Sequence, residues 1–449
     1  MAFHSWGVAN RVIYSIFPEA ETPERLGIQL ALINAMSTPQ PHLPLHDLPL
    51  RSAPALDLLA GVKVLDLTTS IAGPYAGQLL ADMGATVVKV EKPKGGDDSR
   101  TWGPPFLHGE SLWFMSVNRG KHSITLDISS VQGLEILHKL VSQCDVIVLN
   151  LVGRIQRKLG LDAVTLRALN PRLIHLSLTG FGLHGDRADL PCYDLIAEGY
   201  SGVMDLTGEP DAPPQKVGTP AADLLAGHDA AMAVTAALFR RQRDGVGCDI
   251  DISMVESMSR FMAPRLMPYL GSGELSSRSG GRDSVIAIYQ VFETADHPMT
   301  LGLGNDAIWK RFWQAVGQPE MADQQAYSSN AQRRGARSEL VEIIAEVLRQ
   351  EPRSHWLELF TQARVPAGPI HRLDEVASDR ALHAAGFIYR TEGPDGPIPQ
   401  VGLGIRFDGN SEGTTMPPPR LGAHTESILG AWLGYELPQL EQLRVQHVI

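Results

Sequence analysis

The stretch GVKVLDLTTSIAGPYAGQLLADMGATVVKVEKP, residues 61–93, determines the predicted fold class. Residues 62–67 are apolar and β-branched, which is typical of a strand. In the segment that follows, Pro74 lies near the start and Gly84 near the end. This is the arrangement of a helix, because proline is favoured in its first turn and glycine just beyond its last one. Residues 86–90 repeat the strand pattern, so two parallel strands joined by a helix are predicted.

The same alternation continues along the chain. Further strands are predicted at 123–128, 145–150, 173–178 and 248–253, and further helices at 131–143 and 221–241. Strands that alternate with helices indicate an α/β domain built on a mostly parallel sheet. No internal repeat is evident in the sequence.

Changes in composition divide the chain into four predicted segments. Residues 1–56 stand apart, with one short amphipathic stretch at 23–36 followed by a proline-rich linker. Residues 57–270 carry the α/β pattern. A Gly/Ser-rich connector then opens a smaller α+β domain at 271–385, and residues 386–449 are expected to return to the large domain.

The smaller domain has a pattern of its own. Residues 285–304 predict two strands joined by a turn that contains Asp296, and helices are predicted at 308–316 and 338–350. Residues 364–370, RVPAGPI, are interpreted as a rigid loop. In the last segment a helix is predicted near 425–433.

The composition argues against several classes of protein. The 449 residues carry a net charge of −11, whereas a nucleic-acid surface needs clustered Lys and Arg. The three cysteines, Cys144, Cys192 and Cys248, match no zinc or redox spacing, so no metal site is expected and a reducing cytoplasm is favoured. No apolar run approaches about 18 residues, and the N-terminus resembles no signal peptide, so no membrane partner is expected.

A glycine pattern at Gly180, Gly182 and Gly185 fits G-x-G-x-x-G but does not predict a dinucleotide site. A dinucleotide loop opens a helix, and here the third glycine leads into DRADLPCYD, which has no helical period. The pattern is interpreted as a turn beyond the end of a strand, where α/β sheets bind ligands. NRGKHS at 118–123 lacks the first glycine of a phosphate-binding loop, because Met115 occupies that position.

Five segments together resemble the family III CoA-transferases, the CaiB/BaiF group. They lie at 61–93, 118–128, 178–209, 218–238 and 418–429. The likeness covers about residues 57–449 and implies a Rossmann-like large domain, built from both ends of the chain, with a smaller α+β domain inserted late. It also implies a homodimer in which two chains form interlocked rings. CoA and acyl-CoA are then substrates, and no permanently bound cofactor is expected.

The resemblance assigns the catalytic nucleophile to Asp223. The family pattern G-x-x-x-x-D-x-x-x-G falls on Gly218, Asp223 and Gly227. Asp223 lies at the start of the predicted helix 221–241, where unpaired N–H groups and the helix dipole favour a carboxylate. Helix capping is the ordinary role of an aspartate at such a position, and it stays open as the alternative.

The resemblance also implies CoA contacts from strand ends and the turns that follow them. These residues are Thr69, Ser70, Ala72, Lys92, Leu126, Asn150 and Lys158. The two lysines could pair with CoA phosphates, and each could equally be a solvated surface residue. The chain departs from the family at residues 150–154, NLVGR, at Asp186 and at Ile71. An oxalate-pathway member has Gln at the position of Ile71, so the change argues against oxalate or formate as substrate.

A substrate pocket is predicted around Tyr193 and Asp194. In the racemase branch of the family a histidine stands in place of Tyr193, and racemisation needs a group that titrates near neutral pH. A tyrosine, whose ordinary pKa is roughly 10, therefore favours transfer. Gly280 and Gly281, in SRSGGRDS at 277–284, could hinge a cover over the pocket or belong to an inter-domain linker.

The function implied is transfer of CoA from a donor acyl-CoA to an acceptor carboxylic acid through an aspartyl-CoA thioester. Many members of the family use succinyl-CoA or another short dicarboxylyl-CoA, and Arg265, Arg282 or His228 could pair with the distal carboxylate of such a donor. Two alternatives stay open. One is a 2-methylacyl-CoA racemase or epimerase of the same fold, and the other is a CoA-binding protein without turnover.

Overall fold

The computed structural model describes residues 44–51, 56–409 and 413–449. Residues from Leu48 onward form one compact unit, and the 3₁₀ helix Pro44–Asp47 belongs to the unit that precedes it. The amphipathic stretch predicted at 23–36 lies outside the described residues. The segment boundaries expected at 56, 270 and 385 stay predictions.

Six parallel strands form the large sheet. The described strands, in chain order, are β1 Lys63–Asp66, β2 Thr86–Glu91, β3 Phe106–Leu107, β4 Glu110–Ser111, β5 Lys121–Thr125, β6 Val146–Leu149, β7 Ile174–Thr179, β8 Cys248–Ser253, β9 Tyr289–Phe292, β10 Met299–Gly302, β11 Ala367–Pro369, β12 Ile388–Gly393 and β13 Gly396–Val401. The large sheet has the order β5-β2-β1-β6-β7-β8, with every neighbouring pair parallel. The predicted α/β fold with a parallel sheet is confirmed. The order reverses between β1 and β6, the switch point where such sheets bind ligands.

The α-helices follow the strands in the predicted alternation. Up to residue 272 the described α-helices are Ala72–Asp82, Leu112–Ser116, Val131–Val141, Gly153–Leu159, Ala163–Leu169, Asp194–Ser201, Val203–Leu206, Ala221–Asp244, Met254–Phe261 and Ala263–Ser272. Those that follow are Asp306–Ala315, Asn330–Gly335, Arg337–Leu348, Arg353–Ala363, Leu373–Ala377, Arg380–Ala384, Thr425–Leu433 and Leu437–Val445. The helix predicted near 425–433 is therefore confirmed.

Helices cover both faces of the large sheet, as a parallel sheet requires when both of its faces are apolar. On one face, helices Ala72–Asp82 and Ala221–Asp244 pack against side chains of β1, β6 and β7. On the other face, helix Val131–Val141 packs together with the two C-terminal helices, Thr425–Leu433 and Leu437–Val445. The end of the chain therefore contributes to the core of its first sheet.

Helix Ala221–Asp244 is longer than predicted, because it continues to Gly245, which adopts the left-handed conformation that commonly ends a helix. By length and mean hydropathy alone it could cross a membrane, although polar and charged residues divide its sequence into short apolar runs. Several of its alanines, among them Ala226 and Ala230, are buried in the core on one face of the large sheet. This packing is that of a core helix.

A smaller antiparallel sheet, in the order β11-β10-β9, has a separate apolar core. The two strands predicted within 285–304 are confirmed. The interpretation of 364–370 as a loop is wrong in part, since β11 pairs with β10 there. Pro369 is tolerated because β11 lies at the edge of the sheet. The hairpin β12–β13 and the helix Ala263–Ser272, which contains Pro268, were not predicted.

Candidate active site

A cavity of about 240 Å³ lies beside the ends of β1 and β6, at the switch point of the large sheet. Its wall is built by residues that follow β1, β6 and β7 and by the first turn of helix Ala221–Asp244. The residues that line it are Thr69, Ser70, Ala72, Asp98, Trp102, Asn150, Leu151, Leu178, Thr179, Gly180, Cys192, Tyr193, Asp223 and Met254. The predicted nucleophile, part of the predicted CoA contacts and Tyr193 therefore share one cavity.

Asp223 is 8% exposed and does not cap its own helix. The residue at the cap position is Pro220, whose side chain makes no capping bond. The cap comes from another helix, because Asp194 Oδ1 accepts hydrogen bonds from the N–H groups of Ala222 at 2.8 Å and of Asp223 at 3.4 Å. The capping alternative for Asp223 is therefore wrong, and its carboxylate is available to the cavity.

Burial and, after it, the negative charge of Asp194 raise the pKa of Asp223 to about 7. The backbone N–H of Ala72 favours the charged carboxylate and so lowers the pKa, but it does not offset the rise. The sequence led us to expect a carboxylate favoured by the helix N-terminus. That expectation is corrected, because Asp194 already occupies N–H groups of the first turn and the loss of water dominates.

Four predicted CoA contacts, Thr69, Ser70, Ala72 and Asn150, line the cavity. The Asn150 side chain spans the switch point. Its Oδ1 accepts a hydrogen bond from the Thr69 N–H at 3.3 Å, and its Nδ2 donates to the Thr69 carbonyl at 2.9 Å. These bonds hold the turn after β1 against the end of β6, so both halves of the sheet shape the wall.

The structure does not bring the other three predicted CoA contacts to this wall. Lys92 is exposed and pairs with Asp98 at 2.7 Å, and Asp98 is the member of the pair that lines the cavity. Lys158 lies near the end of helix Gly153–Leu159. Leu126 is 1% exposed in the apolar core on the opposite face of the sheet from Asp223, so its side chain cannot reach a ligand here.

Tyr193 and Asp194 have different places in the site. Tyr193 lines the cavity and is 66% exposed, whereas Asp194 supports the Asp223 helix through the backbone bonds described above. One turn further on, the fully buried Glu198 accepts a hydrogen bond from the Val217 N–H at 2.9 Å. The two acids of helix Asp194–Ser201 thus hold the chain segment that leads to Asp223.

Gly280 and Gly281 line a different cavity, of about 520 Å³, beside the sheet β11-β10-β9. Backbone bonds anchor this segment, since the Gly280 N–H donates to the Gly208 carbonyl at 2.9 Å and the Val291 N–H donates to the Gly281 carbonyl at 3.0 Å. Within one chain these glycines are not part of the wall around Asp223. Their role as a cover stays a prediction.

The side chains considered for a distal carboxylate also lie elsewhere. Arg265 pairs with Asp283 at 2.7 Å, Arg282 lines the larger cavity, and His228 contacts the Tyr75 ring edge-on. Among the described residues, the wall around Asp223 contains two aspartates but no Lys, Arg or His. Within the described parts of the chain, no group of His, Cys, Asp and Glu side chains is arranged to hold a metal.

Sequence reasoning missed several residues of the wall, among them Asp98, Trp102, Cys192 and Met254. Asp98 and Trp102 follow β2, and Met254 follows β8, so all of them lie after strands of the large sheet. Cys192 packs directly against Gly180, where an added Cβ would collide with the cysteine. The glycine turn after β7 was the sequence signal that pointed to this close approach.

Comparison with known proteins agrees with this site. Residues 59–425 match the sequence model of the family described as CoA-transferase family III. A succinate–glutarate CoA-transferase of Agrobacterium fabrum is 39% identical over 391 residues, which cover 85% of this chain and 96% of that protein. A succinyl-CoA:glutarate CoA-transferase of Mus musculus is 36% identical over 392 residues, which cover 87% of this chain and 90% of that protein.

A solved structure agrees as well. The crystal structure of a CaiB/BaiF family protein from Brucella suis superposes with a TM-score of 0.74 at 37% identity, covering 83% of this chain and 99% of that one. The chain belongs to CoA-transferase family III and is an acyl-CoA:carboxylate CoA-transferase. The resemblance inferred from the five sequence segments is therefore confirmed.

Proposed function

We propose that Asp223 carries CoA between the two substrates as an aspartyl-CoA thioester. The observation that supports this is a carboxylate that is 8% exposed, has its pKa raised to about 7 and faces the cavity at the switch point. Asp98, the other acid of the wall, is exposed and paired with Lys92. Asp223 is thus the buried carboxylate of this wall that can act as a nucleophile.

The transfer proceeds in two balanced halves. The Asp223 carboxylate attacks the thioester carbonyl of the donor, the C–S bond breaks, and a mixed anhydride and CoA thiolate form. The thiolate then attacks the aspartyl carbonyl, which releases the donor acid and leaves CoA bonded to Asp223. The acceptor carboxylate repeats these steps in reverse, so that acyl-CoA leaves and the Asp223 carboxylate is restored. Each covalent stage is easier than a direct exchange.

The chain supplies position and charge stabilisation to these steps. The Ala72 N–H, which favours the charged form of the Asp223 carboxylate, can donate to the aspartyl oxygen that becomes negative when the thiolate adds to the aspartyl carbonyl. Water must be excluded, because an anhydride hydrolyses readily. The low exposure of Asp223 serves that requirement.

Transfer is favoured over racemisation by the composition of the wall. Proton exchange at the α-carbon needs a base on one face and an acid on the other, and histidine usually supplies one of them. The cavity wall, as far as the described parts of the chain form it, contains Tyr193 but no histidine. Incubation with a 2-methylacyl-CoA in heavy water checks this. A transferase should leave the α-hydrogen in place, and incorporation of deuterium at that carbon would support the racemase.

We propose a short dicarboxylyl-CoA such as succinyl-CoA as the donor, in line with the names of the Agrobacterium fabrum and Mus musculus relatives. The distal carboxylate of such a substrate needs a cation, and the described wall around Asp223 provides none. The cation therefore comes from outside this wall. Arg282, which lines the larger cavity beside Gly280 and Gly281, is our candidate.

We infer that a second copy of the chain supplies that cation, in an interlocked homodimer. Helix Ala263–Ser272 has no buried residue, and its Leu266, Met267 and Leu270 are 45%, 65% and 67% exposed. A contiguous apolar surface of this kind marks an interaction site.

A cytoplasmic location is consistent with three cysteines that are all unpaired.

The nucleophile is tested with Asp223→Asn, which keeps the size of the side chain. CoA exchange between succinyl-CoA and a short carboxylic acid should be abolished, because an amide cannot form the anhydride. Asp244→Asn is the matched control, since Asp244 ends the same helix and is exposed. Exchange should survive in the control. Turnover by folded Asp223→Asn would remove Asp223 from its role, and wild-type protein that binds CoA without exchange would favour a binding protein.

A further inference from the structure

We propose that Asp97 is a positioning residue for the transfer reaction: by binding the Ser70 N–H, it fixes the turn that presents the Ala72 N–H to the Asp223 carboxylate. The inference rests on the proposed role of Asp223 as nucleophile. Asp97 itself does not line the cavity. Its effect on the reaction is therefore indirect and must pass through the turn between β1 and helix Ala72–Asp82.

The backbone of this turn is strained, so groups outside the turn must stabilise its conformation. Ser70 has a φ of 74°, in the left-handed region, which is unfavourable for a residue that carries a side chain. The first N–H groups of the helix that follows have no partners within the helix, as in any helix. The residue at its cap position, Ile71, makes no side-chain capping bond to them. The Ala72 N–H is one of these groups; Ala72 and Asp223 line the same cavity, and this N–H favours the charged form of the Asp223 carboxylate.

Asp97 supplies the hold from a buried position. It is 1% exposed, and its Oδ1 accepts hydrogen bonds from the Ser70 N–H at 3.1 Å and from Ser99 N and Oγ at 2.9 and 2.8 Å. Its other oxygen, Oδ2, pairs with Lys89 Nζ at 2.8 Å. Lys89 is also fully buried, and it donates to the Thr68 carbonyl at 2.8 Å. The ion pair therefore holds the turn through hydrogen bonds to two backbone groups, the Ser70 N–H and the Thr68 carbonyl.

A second buried pair holds the two ends of the same turn. Asp66 accepts from the Thr68 N–H at 3.0 Å and pairs through its other oxygen with Lys121 Nζ at 2.9 Å. Lys121 also donates to the Pro74 carbonyl at 2.6 Å. Removing ions from water costs more than such pairs usually return in stability. Two buried pairs that converge on one turn therefore indicate that its exact shape matters.

Close packing carries that shape to Asp223. Gly227 lies one turn after Asp223 on the long helix, and a Cβ added there would come within 2.6 Å of the Ala72 carbonyl and 3.0 Å of the Tyr75 ring. The missing side chain allows the backbone at Ala72 to approach the catalytic helix. A shift of the turn thus moves the Ala72 N–H relative to the Asp223 carboxylate. A displacement of about 1 Å at a reacting group can lower a rate about 100-fold.

Two double variants isolate the Ser70 bond. Lys89→Met with Asp97→Leu replaces the ion pair by apolar side chains, which proteins often tolerate, and removes the acceptor for Ser70. Lys89→Met with Asp97→Asn has almost the same shape but keeps an oxygen that can accept the bond. The pair of variants differs in that acceptor, while both lack the buried charges.

The readouts are kcat and the acidic limb of its pH profile with succinyl-CoA as donor. We expect the Leu variant to lose about 10- to 100-fold in kcat, and the Asn variant much less. The limb should move to higher pH, most in the Leu variant, because a carboxylate that loses an N–H donor has a higher pKa. Ser99→Ala, which removes one bond to Asp97 but leaves the Ser70 bond, should keep the wild-type limb.

Equal kcat in the two double variants, or a loss of kcat with an unmoved limb, would overturn the proposal. Should the Leu variant not fold, Lys89→Met with Asp97→Val, which also lacks an acceptor for the Ser70 N–H, takes its place: a limb at higher pH than that of the Asn variant supports the proposal, and equal limbs refute it. Turnover by Asp223→Asn in the otherwise wild-type enzyme is a separate result. It would refute the nucleophile itself and not the role of Asp97.

Discussion

The core beside the small antiparallel sheet and the interior beside β1, β2 and β5 are both buried, but their side chains are chemically opposite. In the first, Trp309, Phe312 and Trp313 pack with other apolar side chains. In the second, Asp66 and Lys121 are fully buried as ions, together with Lys89 and Asp97. Apolar burial stabilises a fold in proportion to its area, whereas buried ions cost desolvation and mainly fix geometry. The first region should therefore control stability alone, and the second should control stability and catalysis together.

The largest loss of stability without loss of catalysis is expected in the small apolar core. Trp313→Ala should lower the free energy of unfolding by about 3–5 kcal/mol, because it opens a large cavity. The kcat of the protein that remains folded should not change. Denaturant unfolding and assays well below the transition measure the two quantities. Phe239→Ala, at a position 71% exposed, is the control and should change stability by less than about 0.5 kcal/mol. A lower kcat in folded Trp313→Ala would contradict the expectation that this core controls stability alone.

A comparable loss, now with a loss of activity, is expected among the buried ions. Lys121→Met leaves Asp66 without its ion-pair partner and should cost about 3–5 kcal/mol. It also frees the Pro74 carbonyl, so kcat should fall. Adding Asp66→Leu removes the orphaned charge and should restore most of the stability but not kcat. Recovery of both in the double variant would mean that these ions serve stability alone.

The ionised side chain of Asp223 should lower the free energy of unfolding of the enzyme. Its pKa is about 7 in the folded state and about 3.8 when unfolded, so the folded state binds the extra proton between these values. Stability therefore falls as pH rises from about 4 to 7, by up to about 4 kcal/mol. Asp223→Asn mimics the protonated form, and its unfolding free energy should exceed that of the wild type at pH 8 and match it at pH 4. Equal stability of the two at pH 8 would contradict the raised pKa.

A smaller effect is expected where the catalytic helix meets the turn after β1. Gly227→Ala places a Cβ within 2.6 Å of the Ala72 carbonyl, which should cost about 1–3 kcal/mol and lower kcat. Gly335→Ala is the matched control, because Gly335 is the last residue of helix Asn330–Gly335 and no atom lies within 4 Å of its added Cβ. That change should be neutral or slightly stabilising. Similar results for the two glycines would remove the close approach from the account.

Much of the fold could be predicted because local pattern and tertiary role agree. Strand β8 and helix Thr425–Leu433 were predicted with their observed bounds, since β-branched alternation and a following glycine mark them clearly. Helix Ala263–Ser272 was missed because Pro268 and its glycine argue locally against a helix. Strand β11 was missed because its proline is tolerated only by virtue of its edge position, which no local pattern reveals.

The site was predictable where strand ends meet and not where folding brings distant groups together. Thr69, Ser70 and Asn150 follow strands β1 and β6, which are neighbours in the large sheet. The upward shift of the Asp223 pKa could not be predicted, because it depends on burial and on Asp194, which lies on another helix. The role proposed for Asp97 could not be predicted either. It depends on Lys89, a residue of β2 that is fully buried, and lysines are rarely buried.

The most direct test of the central claim is to trap the covalent intermediate. Wild-type enzyme is incubated with succinyl-CoA alone, without acceptor, and then treated with hydroxylamine, and its peptides are mapped by mass spectrometry. The account predicts a hydroxamate on the peptide that contains Asp223, and none when acyl-CoA is omitted. Modification of a different carboxylate, with Asp223 unmodified in enzyme that exchanges CoA, would contradict it.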